Sequence, residues 1–272
     1  MDGIIFYNGD IASSNTFFYL SQKLKENDFK LEDPSLPEII TQYSNGKTTF
    51  IMSKTDLLHS EYLDKLSFEN LIFVSKHISS MGVAAFTVHS TGNWLSSAEY
   101  GGEPYTLSIA SPLKMLTFLK ALNSIQTKST ITYEATHHGP LLKTPSLFLE
   151  FGGSELDINN TKNAELLAKI LYSSINTEAF SGKIVIGIGL GHYPKKFTSL
   201  ALSKDYAFSH ILPKYAIEKY DIPTFKKMVL LAISSSKPFP KLAVIEKKGL
   251  NKFKFDTLLS LLKEKGLDYE FL

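Results

Sequence analysis

Short apolar runs recur along the chain at 3–8, 49–52, 70–74, 83–88, 130–135, 147–151, 184–190 and 242–245. Several are β-branched and nearly continuous, the pattern of strands covered on both faces. Segments of helical period lie between them. Residues 13–24 place Phe17, Phe18, Leu20 and Leu24 on a helix, and 161–173 do the same with Ala164, Leu167, Ala168 and Leu171. Ser111-Pro112 reads as a cap and first turn ahead of Met115, Leu116, Leu119 and Leu122. Near the end, Phe255, Leu258, Leu259 and Leu262 repeat the period and Gly266 supplies a stop. The stretch 27–47 is polar, with Pro34, Pro37 and an Asn45-Gly46 turn signal. Strands alternating with helices predict an α/β layered fold with a sheet between helices. With no internal repeat, low-complexity tract or linker, one domain spanning residues 1–272 is expected.

Composition narrows the class. Hydrophobic residues at 43% and charged residues at 21% are ordinary for a globular protein. No apolar stretch approaches the roughly 20 residues of a membrane span, and the acidic start MDGIIFYNGD does not read as a signal peptide. The absence of cysteine excludes disulfides and thiolate metal sites and fits a cytoplasmic protein. A net charge of +2 conceals an asymmetry: residues 183–272 hold 16 lysines against 8 acids, residues 1–182 hold 13 against 19. There is no arginine, so any phosphate backbone is met by point charges, not bidentate forks. A solvated lysine-rich surface is the plainer reading of the same numbers.

The histidines carry the chemistry. Of seven, His77, His89, His137-His138 and His192 each fall at the end of an apolar run, whereas His59 and His210 read as ordinary hydrogen-bonded residues. Open α/β sheets bind ligands outside the carboxyl ends of parallel strands, so parallel strands here would bring five imidazoles to one rim. In THHGP (136–140) adjacent histidines of an extended segment point to opposite faces, one toward a site and one bracing it, unless the Gly139-Pro140 turn bends both inward. Glu134 and Glu150 add carboxylates. Histidine and carboxylate donors without cysteine suit a catalytic zinc with an open position; metal-free imidazole acid–base chemistry is the alternative. GIGLGHY (187–193) is neither a dinucleotide fingerprint nor a phosphate loop, but its glycines permit close backbone approach. VHSTGNW (88–94) offers Ser90 and Thr91 to a polar substrate, and Trp94 is expected to pack in the core.

SKHISSMG (75–82), TVHSTGN (87–93), EATHHGP (134–140), LFLEFGGSE (147–155), GLGHYPKKFT (189–198), SHILPKYAIEKYD (209–221) and EKKGL (246–250) together resemble the archaeal and plant family of D-aminoacyl-tRNA deacylases. Two positions depart from the family's pattern: Lys76 stands where arginine is expected, and Leu190 interrupts a glycine run. The resemblance implies a three-layer α/β/α fold with a mixed, largely parallel central sheet, akin to phosphorylases and peptidyl-tRNA hydrolases. It implies hydrolysis of the ester joining a D-amino acid to the terminal ribose of tRNA, by a cytoplasmic monomer that needs no protein partner. It also implies zinc, with the number of ions open. On this reading His137, His138 and His192 stand nearest the chemistry and hold the metal, with His89 and Glu150 as further ligands or orienters. Lys76 and His77 meet the terminal adenosine or its phosphate, and Ser90 and Thr91 contact substrate. Gly189 and Gly191 offer backbone amides, and Lys195 and Lys196 hold the acceptor stem. The rival is a zinc-dependent aminopeptidase or amidohydrolase using the same histidines.

Overall fold

Eight successive buried residues, Ser146–Gly153, form the strand on which the architecture turns. The computed structural model describes residues 1–24, 28–79, 82–174 and 180–272; residues 80 and 81 of the segment 75–82, and residue 27 of the polar stretch, lie outside these. The N-terminal half runs β1 (Asp2–Tyr7), α1 (Ile11–Leu24), β2 (Lys30–Glu32), β3 (Ile39–Ser44), β4 (Thr48–Ser53), two 3-10 turns (Leu57–His59 and Glu61–Lys65), β5 (Asn70–Ile78) and β6 (Ala85–His89). A small hairpin of β7 (Gly92–Asn93) and β8 (Thr106–Leu107) follows, then α2 (Pro112–Asn123), β9 (Thr130–Tyr133), β10 (Ser146–Gly153), α3 (Glu155–Ile158) and α4 (Thr161–Ser174). The remainder is β11 (Lys183–Ile188), α5 (Lys195–Lys204), β12 (Tyr206–Leu212), α6 (Lys214–Lys219), α7 (Ile222–Ser234), β13 (Leu242–Ile245), α8 (Lys252–Glu264) and β14 (Asp268–Phe271).

The central sheet has eight strands in the order β2-β3-β4-β1-β5-β10-β6-β9. It is mixed and largely parallel, as expected: β4, β1, β5 and β10 run together, and β6 pairs antiparallel to β10. Strand alternation divides its residues between two cores. Ile4, Phe6, Val74, Leu149 and Val88 pack under α1, α2 and α4 through Leu20, Leu116, Leu119 and Leu167. Ile5, Phe73 and Phe148 face the other way, beneath Leu57 and Leu63 of the 3-10 turns and Leu142.

Three expectations need correction. The runs at 184–190 and 242–245 do not join the central sheet; they form a second, parallel sheet in the order β12-β11-β13-β14. One face of it, through Val185, Phe208 and Val244, shares the α2 core with the first sheet, and Ile186, Ile188 and Ile245 on the other face pack against α6, α7 and α8. Sandwiched sheets of this kind make the same continuous apolar runs as one large sheet, so the runs alone do not separate them. The polar stretch 27–47 also holds the antiparallel strands β2 and β3. Ser111 precedes α2 with Pro112 in its first turn, but its hydroxyl donates to Asn70 Oδ1 at 2.6 Å and does not cap the helix.

Candidate active site

The reversal of β6 changes how the histidines meet. In register, Glu150 of β10 stands opposite Ser75 of β5 and Thr87 of β6, and Phe148 stands opposite His89. Ser75, His77, Glu150, Phe148 and His89 therefore share one face of the sheet, and they converge across that face, not at a common carboxyl rim. Beyond Tyr133 the chain crosses to the second sheet, where Ala135 N donates to His192 O at 2.8 Å and Thr136 N to Ile211 O at 3.2 Å. This crossing lays Glu134, His137 and His138 over the sheet face and beside His192 from the β11–α5 loop.

His138 has φ +45°, in the left-handed region that L residues occupy at a cost. The segment is thus not extended at this point, and His137 and His138 turn to the same side, their ring centroids 4.3 Å apart. Gly139 follows for a steric reason. A Cβ there would stand 2.4 Å from Gly102 N and 2.7 Å from Leu58 O, so only glycine lets these loops close around the histidines.

Glu134 sits at the centre. Its Oε2 lies 2.7 Å from His192 Nε2 and 3.8 Å from His137 Nε2, and its Oε1 lies 3.1 Å from His77 Nδ1. Glu150 accepts from Ser75 Oγ at 2.6 Å and lies 3.6 Å from His77 Nδ1 and 3.7 Å from His89 Nε2. Burial alone would raise both carboxyls, but the imidazoles facing them hold both well below the usual carboxylate range. His77 answers in kind: burial would lower it, but Glu134 and Glu150 raise it to about 10. His89, opposed by burial in the same way, is raised by Glu150.

His137 and His138 differ. Burial, and then the positive field of His89, lowers His137 well below an ordinary imidazole and His138 to about 4. Their Nδ1 atoms lie 2.9 Å from Ala135 O and 2.6 Å from Gly139 O. A carbonyl only accepts, so each Nδ1 carries the proton and each Nε2 keeps a free lone pair. The cavity they face encloses about 390 Å³ and is lined also by Asp10, Lys76, Tyr100, Glu134, Glu150 and His192.

Three overlapping groups bring ligating atoms within 4.8 Å of one another: His89, His137 and His138; Glu134, His137 and His192; and His77, Glu134 and Glu150. His89 Nε2 is buried without a hydrogen-bond partner, which is costly for an imidazole unless something else occupies that direction. The donor set of nitrogens and carboxylates fits a divalent metal, and the carbonyls behind His137 and His138 are the kind of orienting partners such ligands have.

A sequence model of the D-aminoacyl-tRNA deacylase family matches residues 64–270. The chain belongs to that family. The D-aminoacyl-tRNA deacylase of Thermococcus onnurineus is 35% identical over 270 residues, covering 96% of each chain. That of Pyrococcus furiosus is 35% identical over 237 residues, 84% of this chain and 85% of its own. The crystal structure of a conserved protein of unknown function, 27% identical, superposes with a TM-score of 0.86 over 100% of this chain and 95% of that one. Membership makes the chain a hydrolase of the aminoacyl-tRNA ester bond, and the aminopeptidase reading is not favoured.

Of the deacylase residues expected from sequence, the structure gathers His77, His89, His137, His138, Glu150 and His192 and keeps Lys76 at the cavity rim. It does not bring in Ser90 or Thr91: both are buried, with Ser90 Oγ donating to Ser209 O at 2.8 Å and Thr91 Oγ1 bonding Ser108 and Pro140 O. Gly189 N already donates to Leu212 O at 2.9 Å, so it is no free oxyanion donor, and Gly191 lies outside the cavity. Lys196 pairs with Glu246 at 2.9 Å, and Lys195 borders a different hollow. Leu190, in the place of a family glycine, adopts φ +66°. Glu134, which the sequence offers only as one of two carboxylates beside the histidines, stands at their centre; its position just past a strand and two residues before THHGP is the signal that marks it.

Trp94 packs in the second core, as expected. His210 is fully buried, its Nε2 lying 2.7 Å from Ser235 O and its Nδ1 3.1 Å from the hydroxyls of Ser90 and Thr136. Burial lowers it from 6.5 to about 4. Between those values the unfolded chain binds a proton that the native state refuses, so stability falls as pH drops through this window. The His210→Gln variant, measured by urea unfolding, is expected to lose about 2 kcal/mol less than the wild type between pH 7 and pH 5. Equal losses would show that His210 does not resist protonation.

Proposed function

We propose that this deacylase cleaves the D-aminoacyl ester in the histidine cavity, with Glu134, His137 and His138 serving the attacking water and zinc as the resident ion. The observation that supports this most is the pair of imidazoles, His137 and His138, whose Nε2 lone pairs face the cavity at neutral pH. His89, His137 and His138 would hold the ion, with Glu134 and His192 beside them. When bound, zinc supplies Lewis acidity toward water and the ester carbonyl.

The residues of the chain supply the rest. Glu134, an anion held between His77, His192 and His137, accepts the proton of the attacking water through His192, which takes that proton at Nδ1 and passes the one on Nε2 to the carboxylate. His192 is placed by its 2.7 Å bond to Glu134 to return that proton to the departing ribose oxygen. The protonated His77 balances the two buried carboxylates, so that neither is left as an unpaired charge. Chirality then rests on shape, a cavity wall that accepts the D side chain and collides with the L one.

The deciding experiment follows release of labelled D-tyrosine and L-tyrosine from charged tRNA, before and after chelation, with metal content measured alongside. We expect release of D-tyrosine only, lost on chelation and restored with zinc at a fixed stoichiometry. D-specific release that survives complete removal of metal would overturn the zinc assignment and leave the chemistry to the imidazoles.

A further inference from the structure

A second hollow lies on the far side of His77. It encloses about 270 Å³ and is lined by Val83, Ala85, Thr130, Thr132, Tyr193 and Lys195. Through Thr130, Thr132 and Lys195 it continues into an open trough between β9 and α5 that reaches Ser199 and Ser203. β9 is the outer strand of the central sheet, so no further strand of that sheet covers this edge.

Tyr193 links the hollow to the chemistry. Its hydroxyl lies 3.1 Å from His77 Nε2, and its ring centroid lies 5.8 Å from that of His77 and 4.9 Å from that of His192. Anchored at the hydroxyl and 36% exposed, the ring is a held platform with a free face. Lys195, exposed at the rim, has no ion-pair partner among the described residues, unlike Lys196 next to it.

We propose that this groove between β9 and α5 binds the 3′ end of the tRNA, with the terminal adenine against Tyr193 and the adjoining phosphate at Lys195. The inference rests on the deacylase reading of the histidine cavity. An ester on the terminal ribose is separated from its base by little more than the sugar itself. With the ester carbonyl at His137 and His138, the base therefore falls about one ring beyond His192, where Tyr193 stands. The chemistry of the groove matches: a largely apolar slot with an aromatic wall for a base, and at its rim a lysine without an ion-pair partner among the described residues for a phosphate. All tRNAs share this terminal nucleotide, so a site here serves every D-amino acid alike. The contact also reports inward, because the hydroxyl of Tyr193 lies 3.1 Å from His77 Nε2, and the Nδ1 of that ring faces Glu134 at 3.1 Å and Glu150 at 3.6 Å.

The test uses the full chain, with D-tyrosyl- and D-alanyl-tRNA as substrates and adenosine 5′-monophosphate as competitor. Tyr193→Ala, and Thr130→Phe at an exposed position on the slot wall, are expected to raise KM about tenfold to a hundredfold, equally for both substrates. Both should weaken inhibition by the monophosphate to the same degree, and kcat should stay within about threefold for Thr130→Phe. Tyr193→Phe keeps the platform but loses the bond to His77, so it should lower kcat with KM unchanged. If Thr130→Phe penalises D-tyrosyl-tRNA and spares D-alanyl-tRNA, the slot holds the amino-acid side chain and the inference is overturned. Unchanged KM and unchanged inhibition in both variants would overturn it too. Absence of D-specific release by the wild-type protein would instead count against the deacylase reading itself.

Discussion

Glu134→Gln is expected to lower kcat for D-tyrosyl-tRNA about a thousandfold, within the range that positioned acid–base groups command. Glutamine keeps the shape and one acceptor oxygen, so the protein should still fold, as circular dichroism would show. What it loses is the charge. Three imidazoles look toward this one carboxylate, at 2.7, 3.1 and 3.8 Å. Without its charge His77 retains only Glu150, and His192 has no base to exchange a proton with. KM should change little, since Glu134 is buried and reaches the substrate only through what it orients. A variant that keeps most of its kcat would remove Glu134 from the mechanism and reduce it to a counter-ion for His77.

His138→Ala is expected to cost at least a hundredfold in kcat. The ring of His138 packs edge-on against Phe148 and His89, at centroid distances of 4.8 and 4.9 Å, so truncation leaves a gap the size of an imidazole. Added imidazole should then restore part of the rate to this variant and none to Glu134→Gln. Such a difference would separate a lost lone pair from general damage to the site. Near-wild-type turnover by His138→Ala would refute the assignment of the THHGP segment to the chemistry.

Much of this site was legible in the sequence, for an identifiable reason. Histidines at the ends of apolar runs are rare enough to stand out, and the apolar runs themselves locate β1, β4, β5, β6, β9, β10, β11 and β13. Strand direction was not legible, because parallel and antiparallel buried strands have the same composition; the reversal of β6 therefore moved the histidines from an expected rim to a sheet face. The bend was legible only as one of two alternatives, at the Gly139-Pro140 turn, and its seat at His138 was hidden. A non-glycine residue at positive φ leaves no trace in composition, and it is what turns both histidines inward. Ser90 and Thr91 show the opposite difficulty, since hydroxyls that bind a substrate and hydroxyls that satisfy buried carbonyls look identical along the chain. The carboxylates were visible but unranked. Only distances show that Glu134 is shared by three imidazoles and that Glu246 spends its charge on Lys196.

The 2.7 Å bond between Glu134 and His192 joins a residue that follows the central sheet to one carried by the second. Neither half of the chain holds a complete set of groups, and the lysine-rich half also supplies Tyr193. Inheritance in this lineage is thus constrained as a unit. A recombination event that exchanged the C-terminal part for a foreign one of the same fold would deliver a well-packed protein with half of the proposed site.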